Sequence, residues 1–169
     1  MTDELVHELA DRAAILDCMH RYTRGIDRLD RALVRSAYHD DAVDDHLGYS
    51  GPVEGFLDWA FEYHSGQARH QHYITNHSVD LDGDTAHAET YFMVVMTERQ
   101  PDAPLTVFGG RYVDRLERRD GRWAIVVRRC LPEWATNPAS LFPPDGNSIG
   151  GTVARDRTDA SYQRPLAVD

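Results

Sequence analysis

Three side chains have types and places suited to moving a proton: Asp27, His72 and an arginine at 128 or 129. Asp27 continues a run of Leu9, Ala13, Leu16, His20 and Thr23, which recur every three or four positions and mark one helix face. A carboxylate closing such a stripe points inward, where loss of water makes it a candidate base or base-orienter. In a solvated Gly25-Ile26-Asp27 corner it would instead pair with Arg24 or Arg28. His72 shares a strand face with His70, Ile74 and Asn76. A histidine in such company is often ordinary core, yet imidazole is the side chain best matched to proton transfer near neutral pH. In a dry pocket an Asp–His pair works as a unit, the carboxylate fixing the tautomer and stabilising the imidazolium. No serine or cysteine is placed as its nucleophile, so the histidine would act directly on a substrate proton. That reading requires His72 Nδ1 within hydrogen-bond reach of Asp27.

Of the adjacent Arg128 and Arg129, one must face inward on a strand. A buried guanidinium needs a partner. It would bind a departing anion or an enolate, or form an internal salt bridge with an acid such as Asp27. His70-Gln71-His72 is also an H-x-H pair that, with His46 or His87, would chelate zinc or iron. No carboxylate follows at a metal-site spacing, and no metal is assigned. Tyr22, Tyr49, Trp59, Phe92 and Phe108 read as core residues, some of which line an apolar substrate pocket.

The elements that must position these residues follow from periodicity. Helical spacing runs from Glu4 to Ile26, including Ile15, Met19, Tyr22 and Ile26. A second helix is expected over Leu29–Tyr38, and Gly51-Pro52 opens a third that carries Phe56, Trp59, Ala60 and Tyr63. From Arg69 the period becomes two, giving strands Arg69–Leu81, Thr85–Thr97, Leu105–Glu117 and Arg122–Leu131. The short turns Asp82-Gly83-Asp84 and Asp120-Gly121 make them an antiparallel meander. The expected fold is α+β, a curved sheet closing like a cone on three N-terminal helices and leaving a pocket between them. Residues 1–134 form one domain, and 135–169, with Pro138, Pro143, Pro144, Gly146, Gly150 and Gly151, an irregular tail on that domain or on a neighbouring subunit. Asp40-Asp41 and Asp44-Asp45 read as solvated surface at a strand start, and the Arg115–Arg122 hairpin as an exposed turn pairing with Asp114, Glu117 and Asp120.

Composition excludes several classes. The 18 basic residues are all arginine, so chemistry that needs a lysine amine, such as Schiff-base, pyridoxal-phosphate or phosphate-loop catalysis, has no residue to run on. A net charge of −10 argues against nucleic acid and against an anionic membrane. No apolar run is long enough to span a bilayer. Nothing resembles a signal peptide, and Cys18 and Cys130 read as reduced thiols, so a cytoplasmic protein is expected.

Arg12-Ala13-Ala14-Ile15 with Asp27, His72-Tyr73-x-Thr75-Asn76, Gly109-Gly110-Arg111-Tyr112, and Glu117 through Trp123 occur in that order over residues 8–134. Together they resemble the SnoaL-like branch of the nuclear-transport-factor-2-like superfamily. The nearest group holds hexachlorocyclohexane dehydrochlorinase, bile-acid 7-alpha-dehydratase and scytalone dehydratase. The resemblance implies an Asp–His dyad that works without cofactor, with Asp27 as its carboxylate, His72 as general base and Arg128 as helper. Tyr22 falls where the dehydratase pattern has a tyrosine and the dehydrochlorinase a lysine, which favours an oxygen leaving group over chloride. A second dehydratase tyrosine aligns near His46, so either Tyr49 replaces it or His46 is itself the acid. The expectation is a lyase on a small, largely apolar ring compound such as a steroid, terpenoid or lignin-type aromatic, with loss of water or of formaldehyde. His46, Tyr49, Trp59, Phe92 and Phe108 would line the substrate. The fold also hosts isomerases, cyclases, epoxide hydrolases and silent binding modules. The relatives imply a homo-oligomer, a trimer ahead of a dimer.

Overall fold

The computed structural model describes residues 2–100, 102–136 and 153–168. Helix α1 (Asp3–Arg28) starts at an N-cap Thr2 whose side chain accepts from the Leu5 amide, with Asp3 and Glu4 in the first turn. Its buried face is Ile15, Cys18, Met19, Tyr22, Thr23, Gly25 and Ile26, whereas Leu9, Ala13 and His20 are exposed. The stripe drawn through Leu9, Ala13 and His20 is therefore corrected to its neighbour: residues 2–10 are exposed, the sheet first meets α1 through the polar contacts of Asp11 with Trp123 and Arg118 and of Arg12 with the Val79 carbonyl, and apolar burial begins at Ile15. Leu29 ends α1 in the left-handed region at φ 52°. Gly25 is required there, because a Cβ would stand 2.5 Å from Val34 Cγ2.

Helix α2 is only Arg31–Arg35, capped by the Asp30 side chain, which corrects the longer helix expected to Tyr38. Tyr38 instead opens strand β1 (Tyr38–His46), followed by β2 (Tyr49–Pro52) and helix α3 (Val53–Ser65). Pro52 stands at the N-cap of α3. The meander is β3 (Arg69–Asp82), β4 (Thr85–Thr97), β5 (Thr106–Arg119) and β6 (Arg122–Ala135). The sheet has six strands in the order β2-β1-β6-β5-β4-β3, and β1 lies parallel to β6 while the other pairings are antiparallel. Strands β1 and β2 escaped the periodicity because β1 interleaves acids with apolar residues and β2 is four residues long.

Register shifts in β3 between Ile74 and His77, and at Gly109/Gly110 and Arg115/Leu116 in β5, curl the sheet around α1 and α3. Gly110 lets β6 approach, since a Cβ would lie 2.1 Å from the Leu131 carbonyl oxygen. The shift in β3 also turns Asn76 outward and His77 inward, so the expected shared face of His72 and Asn76 ends at Ile74. The main core fills the space between the helices and the inner sheet face.

On the outer face, Ala160 and Leu166 pack on Val113, Val127 and Leu131. Asp159 takes a bidentate bond from Arg111 at 2.9 and 2.8 Å, and Arg129 donates to the Ala167 carbonyl. The expected features at Pro138, Pro143, Pro144, Gly146, Gly150 and Gly151 lie outside the described residues.

Candidate active site

The end of α1 delivers Asp27 and the start of β3 delivers His72 to the same place. His72 Nδ1 lies 2.6 Å from Asp27 Oδ1, and the His72 backbone amide donates to Oδ2 at 2.9 Å. The carboxylate accepts, so Nδ1 carries the proton and Nε2 keeps its lone pair. The ring lines a cavity of about 280 Å³ enclosed by α1, α3 and the inner face of the sheet. Burial holds the His72 imidazole below its ordinary pKa, against the opposing pull of Asp27, which favours a neutral base. The neighbouring His64 is pushed down to about 2 by burial and by the surrounding histidines His72, His70 and His46.

The walls are mostly aromatic: Phe56, Trp59, Tyr63, Phe92, Phe108 and Tyr112. Polar groups converge at two points, His72 with His64, and Tyr22 with His46. Such a small, largely apolar cavity with few polar groups suits a compact hydrophobic ligand. Trp59, Phe92, Phe108, His46 and Tyr22, all singled out from the sequence, line it. Tyr49 does not. Its hydroxyl donates to the Pro52 carbonyl at 2.7 Å and its ring lies against Gly51 and Gly55.

Arg128 faces inward and Arg129 outward, as strand alternation demands. Arg128 pairs not with Asp27 but with Asp114, its register partner on β5, through two bonds of 2.8 and 2.9 Å, and both residues are fully buried. Its guanidinium lies 4.3 Å from the ring centres of Tyr22 and of Tyr112, so its charge reaches the cavity through those phenols. Asp114 is thereby corrected from a partner in an exposed hairpin turn to a core residue. The turn's own pairs are Arg119 with Glu117 and Asp41, and Arg118 with Asp11 and Asp84.

Asp44 and Asp45 are corrected likewise: both are buried, whereas Asp40 and Asp41 are exposed. Asp44 accepts from the Tyr38 hydroxyl at 2.6 Å and from His46 Nδ1, and His46 Nε2 lies 3.2 Å from the Tyr22 hydroxyl. Asp44 went unnoticed inside an acidic run. Its signal was the Asp44-x-His46 spacing, which puts both on one strand face. Tyr112, Tyr63 and His64 were missed as cavity walls because aromatic and histidine positions carry no mark of which face meets a cavity. Among the described residues, no group of three or more His, Cys, Asp or Glu side chains is arranged to hold a metal ion. His70, half of the H-x-H pair, bonds the Ile26 carbonyl through Nε2 at 2.7 Å.

Solved structures similar to this chain share its fold. A putative scytalone dehydratase from Novosphingobium aromaticivorans superposes with a TM-score of 0.73 at 14% identity, covering 88% of this chain and 97% of its own. LinA superposes at 0.72 with 24% identity, covering 82% and 97%. The hexachlorocyclohexane dehydrochlorinase LinA-type3 from Novosphingobium barchaimii gives 0.71 at 23% identity, covering 82% and 99%. A search of curated proteins finds no match. No helix among the described residues is long and apolar enough to cross a membrane. Residues 7–129 match the SnoaL-like domain, and the chain belongs to that family.

Proposed function

We propose that this chain is a cofactor-independent lyase that eliminates an oxygen leaving group from a small, apolar ring compound. The observation that carries the proposal is the 2.6 Å bond from His72 Nδ1 to Asp27, with the His72 ring on the wall of the aromatic cavity. His72 Nε2 takes an acidic carbon-bound proton and Asp27 stabilises the resulting imidazolium. The C–H electron pair becomes the new double bond, and the departing oxygen takes a proton from Tyr22, with His46 behind it. Arg128 touches the rings of Tyr22 and Tyr112 and supports negative charge on the phenol.

Burial raises the Tyr22 phenol above its ordinary pKa, while His46 and Arg128 draw it back. A phenol so placed protonates alkoxide or hydroxide, a help that chloride does not need. The cavity of about 280 Å³ lies at the small end of ligand sites, which favours a compact ring compound over a whole steroid. A hydroxymethyl arene uses the same groups in another order: His72 takes the hydroxyl proton, the C–C bond to the ring breaks as formaldehyde forms, and the pair left on the ring carbon takes a proton from Tyr22. Similarity to a dehydratase and to dehydrochlorinases supports a lyase at the level of fold. The proposal includes a homo-oligomer, a trimer ahead of a dimer.

A panel of cyclic β-hydroxy ketones and aryl diols tests the reaction class, read by enone absorbance or formaldehyde release. Turnover by the wild type and its collapse in His72→Ala are expected. Ligands that raise the melting temperature without turning over would make the pocket a binding module instead.

A further inference from the structure

We infer that Asp44, His46 and Tyr22 form an acid relay in which a buried His46 imidazolium recharges the Tyr22 phenol as it protonates the departing oxygen. The inference rests on the elimination proposed above and deepens its acid half; the resemblance assigns Asp44 no role.

The geometry begins with a row of side chains across three neighbouring strands. Asp44 on β1 is in register with Arg128 on β6, which is in register with Asp114 on β5, and all three are fully buried. Two carboxylates thus flank one guanidinium. Both forks of Arg128 that bond a carboxylate go to Asp114, leaving Asp44 with a neutral phenol, Tyr38, and the Nδ1 of His46. An isolated carboxylate in such surroundings is costly unless a cation stands against it. The group in contact with Asp44 that is able to supply this charge is His46, whose protonation brings the row to neutrality.

The titratable groups facing His46 are Tyr22 from α1, Asp44 and Asp45 from β1, Tyr112 from β5 and Cys130 from β6, with Arg128 behind the rings of Tyr22 and Tyr112. His64 of α3 and His72 of β3 stand further off. Its ring is stacked on Phe56 at 4.8 Å, which shields it from water. Burial alone would drive the proton off His46, yet Cys130, Tyr22 and the bonded Asp44 carboxylate together hold the imidazole well above its ordinary value. His72 is shifted the other way. The charge row biases His46 toward the protonated form and burial biases His72 toward the neutral one, so the two Asp–His pairs of one cavity are set apart in the pattern that separates an acid from a base.

The step balances without another reactant. His72 Nε2 gains the carbon-bound proton and the C–H pair forms the double bond. The C–O bond breaks with its pair on oxygen, Tyr22 O–H protonates that oxygen, and His46 Nε2–H reprotonates Tyr22. His72 then carries one proton more and His46 one fewer, and water returns the proton after release. Tyr22 touches the substrate, whereas Asp44 is a positioning residue that keeps His46 charged.

The test is long-range ¹H–¹⁵N NMR of histidine-labelled protein at about pH 7.5, with His46→Gln identifying the His46 signals. Both His46 ring nitrogens are expected to carry protons while His72 carries one. In Asp44→Asn, His46 loses its second proton, and in Tyr22→Phe it keeps it. A neutral His46 in the wild type, a doubly protonated His46 in Asp44→Asn, or loss of the proton in Tyr22→Phe would each overturn the relay. The wild-type spectrum decides alone should Asp44→Asn fail to fold. The spectra need no turnover, so a neutral His46 leaves the His72 reaction standing, and an inactive panel leaves the charge on His46 intact.

Discussion

Breaking the buried row at its centre gives the most quantitative check on the electrostatics of the site. Arg128 is fully buried, holds Asp114 with two bonds of 2.8 and 2.9 Å, and lies 4.3 Å over two phenol rings. Arg128→Met removes the one guanidinium among two buried carboxylates. Leaving a buried charge without its partner costs about 3–5 kcal/mol, and each lost cation–π contact adds roughly 0.5–2 kcal/mol. A loss of about 4–9 kcal/mol is expected, a large part of the roughly 5–15 kcal/mol by which a domain is stable. Asp114→Asn alone should cost about 3 kcal/mol. The double variant should be little worse than Arg128→Met, because removing both charges removes the penalty each leaves behind, so the coupling energy is about 2–3 kcal/mol. Urea unfolding followed by tryptophan fluorescence at constant slope measures all three differences. The reasoning is refuted by a loss below about 1 kcal/mol in Arg128→Met. It is refuted equally by single effects that add to within about 0.5 kcal/mol.

Asp27→Asn keeps the fold, since an amide oxygen still accepts from the His72 amide, but it no longer fixes the imidazole; kcat on any panel substrate should fall about 10³–10⁴-fold with KM little changed. Tyr49→Phe loses only the bond to Pro52, so turnover should stay within about twofold of wild type while stability falls by roughly 0.5–1.5 kcal/mol. Burial holds His64, His72, His77 and His87 below the ordinary imidazole pKa. The unfolded chain therefore takes up protons below about pH 6.5 that the native state refuses, and the melting temperature should drop as pH falls through that point. The raised His46 has the opposite sign: its stabilisation is complete below about pH 6.5 and is lost as pH rises through its native value. Burial alone would raise Asp159, but Arg111 and two backbone amides hold it below its ordinary value. Its contribution is present above about pH 4 and lost on acidification, so Asp159→Ala should raise hydrogen exchange over residues 153–168 at neutral pH.

The helices and the long strands were legible because their periods differ: 3.6 residues over Ile15, Met19, Tyr22 and Ile26, and two residues from Arg69 onward. His72 was legible because it stands at an inward position of a period-two strand, whereas Asp27 was reached along a stripe whose Leu9, Ala13 and His20 are exposed and of which Thr23 alone is buried. What was not legible depends on pairings distant in sequence. The parallel partnership of β1 with β6 hides in an acidic segment, and it alone turns Asp44 from surface into core. The same pairing fixes Arg128 between two carboxylates, where sequence offered Asp27 as its partner. Alternation showed that one of Arg128 and Arg129 faces inward, but only the bulged register of β5 on β6 shows which acid stands opposite. Tyr49 was drawn toward the cavity by its aromatic type, yet its ring lies over Gly51 and Gly55 and its hydroxyl is spent on the Pro52 carbonyl.

The central claim is that His72, oriented by Asp27, takes a carbon-bound proton inside the aromatic cavity. Deuterium exchange at the carbon beside the carbonyl of a small cyclic ketone lacking a leaving group isolates that step from the acid half of the reaction. Followed by proton NMR in heavy water, the wild type should accelerate exchange, and His72→Ala should lower that rate by about 10²–10⁴-fold. Exchange that persists unchanged in His72→Ala would contradict the account.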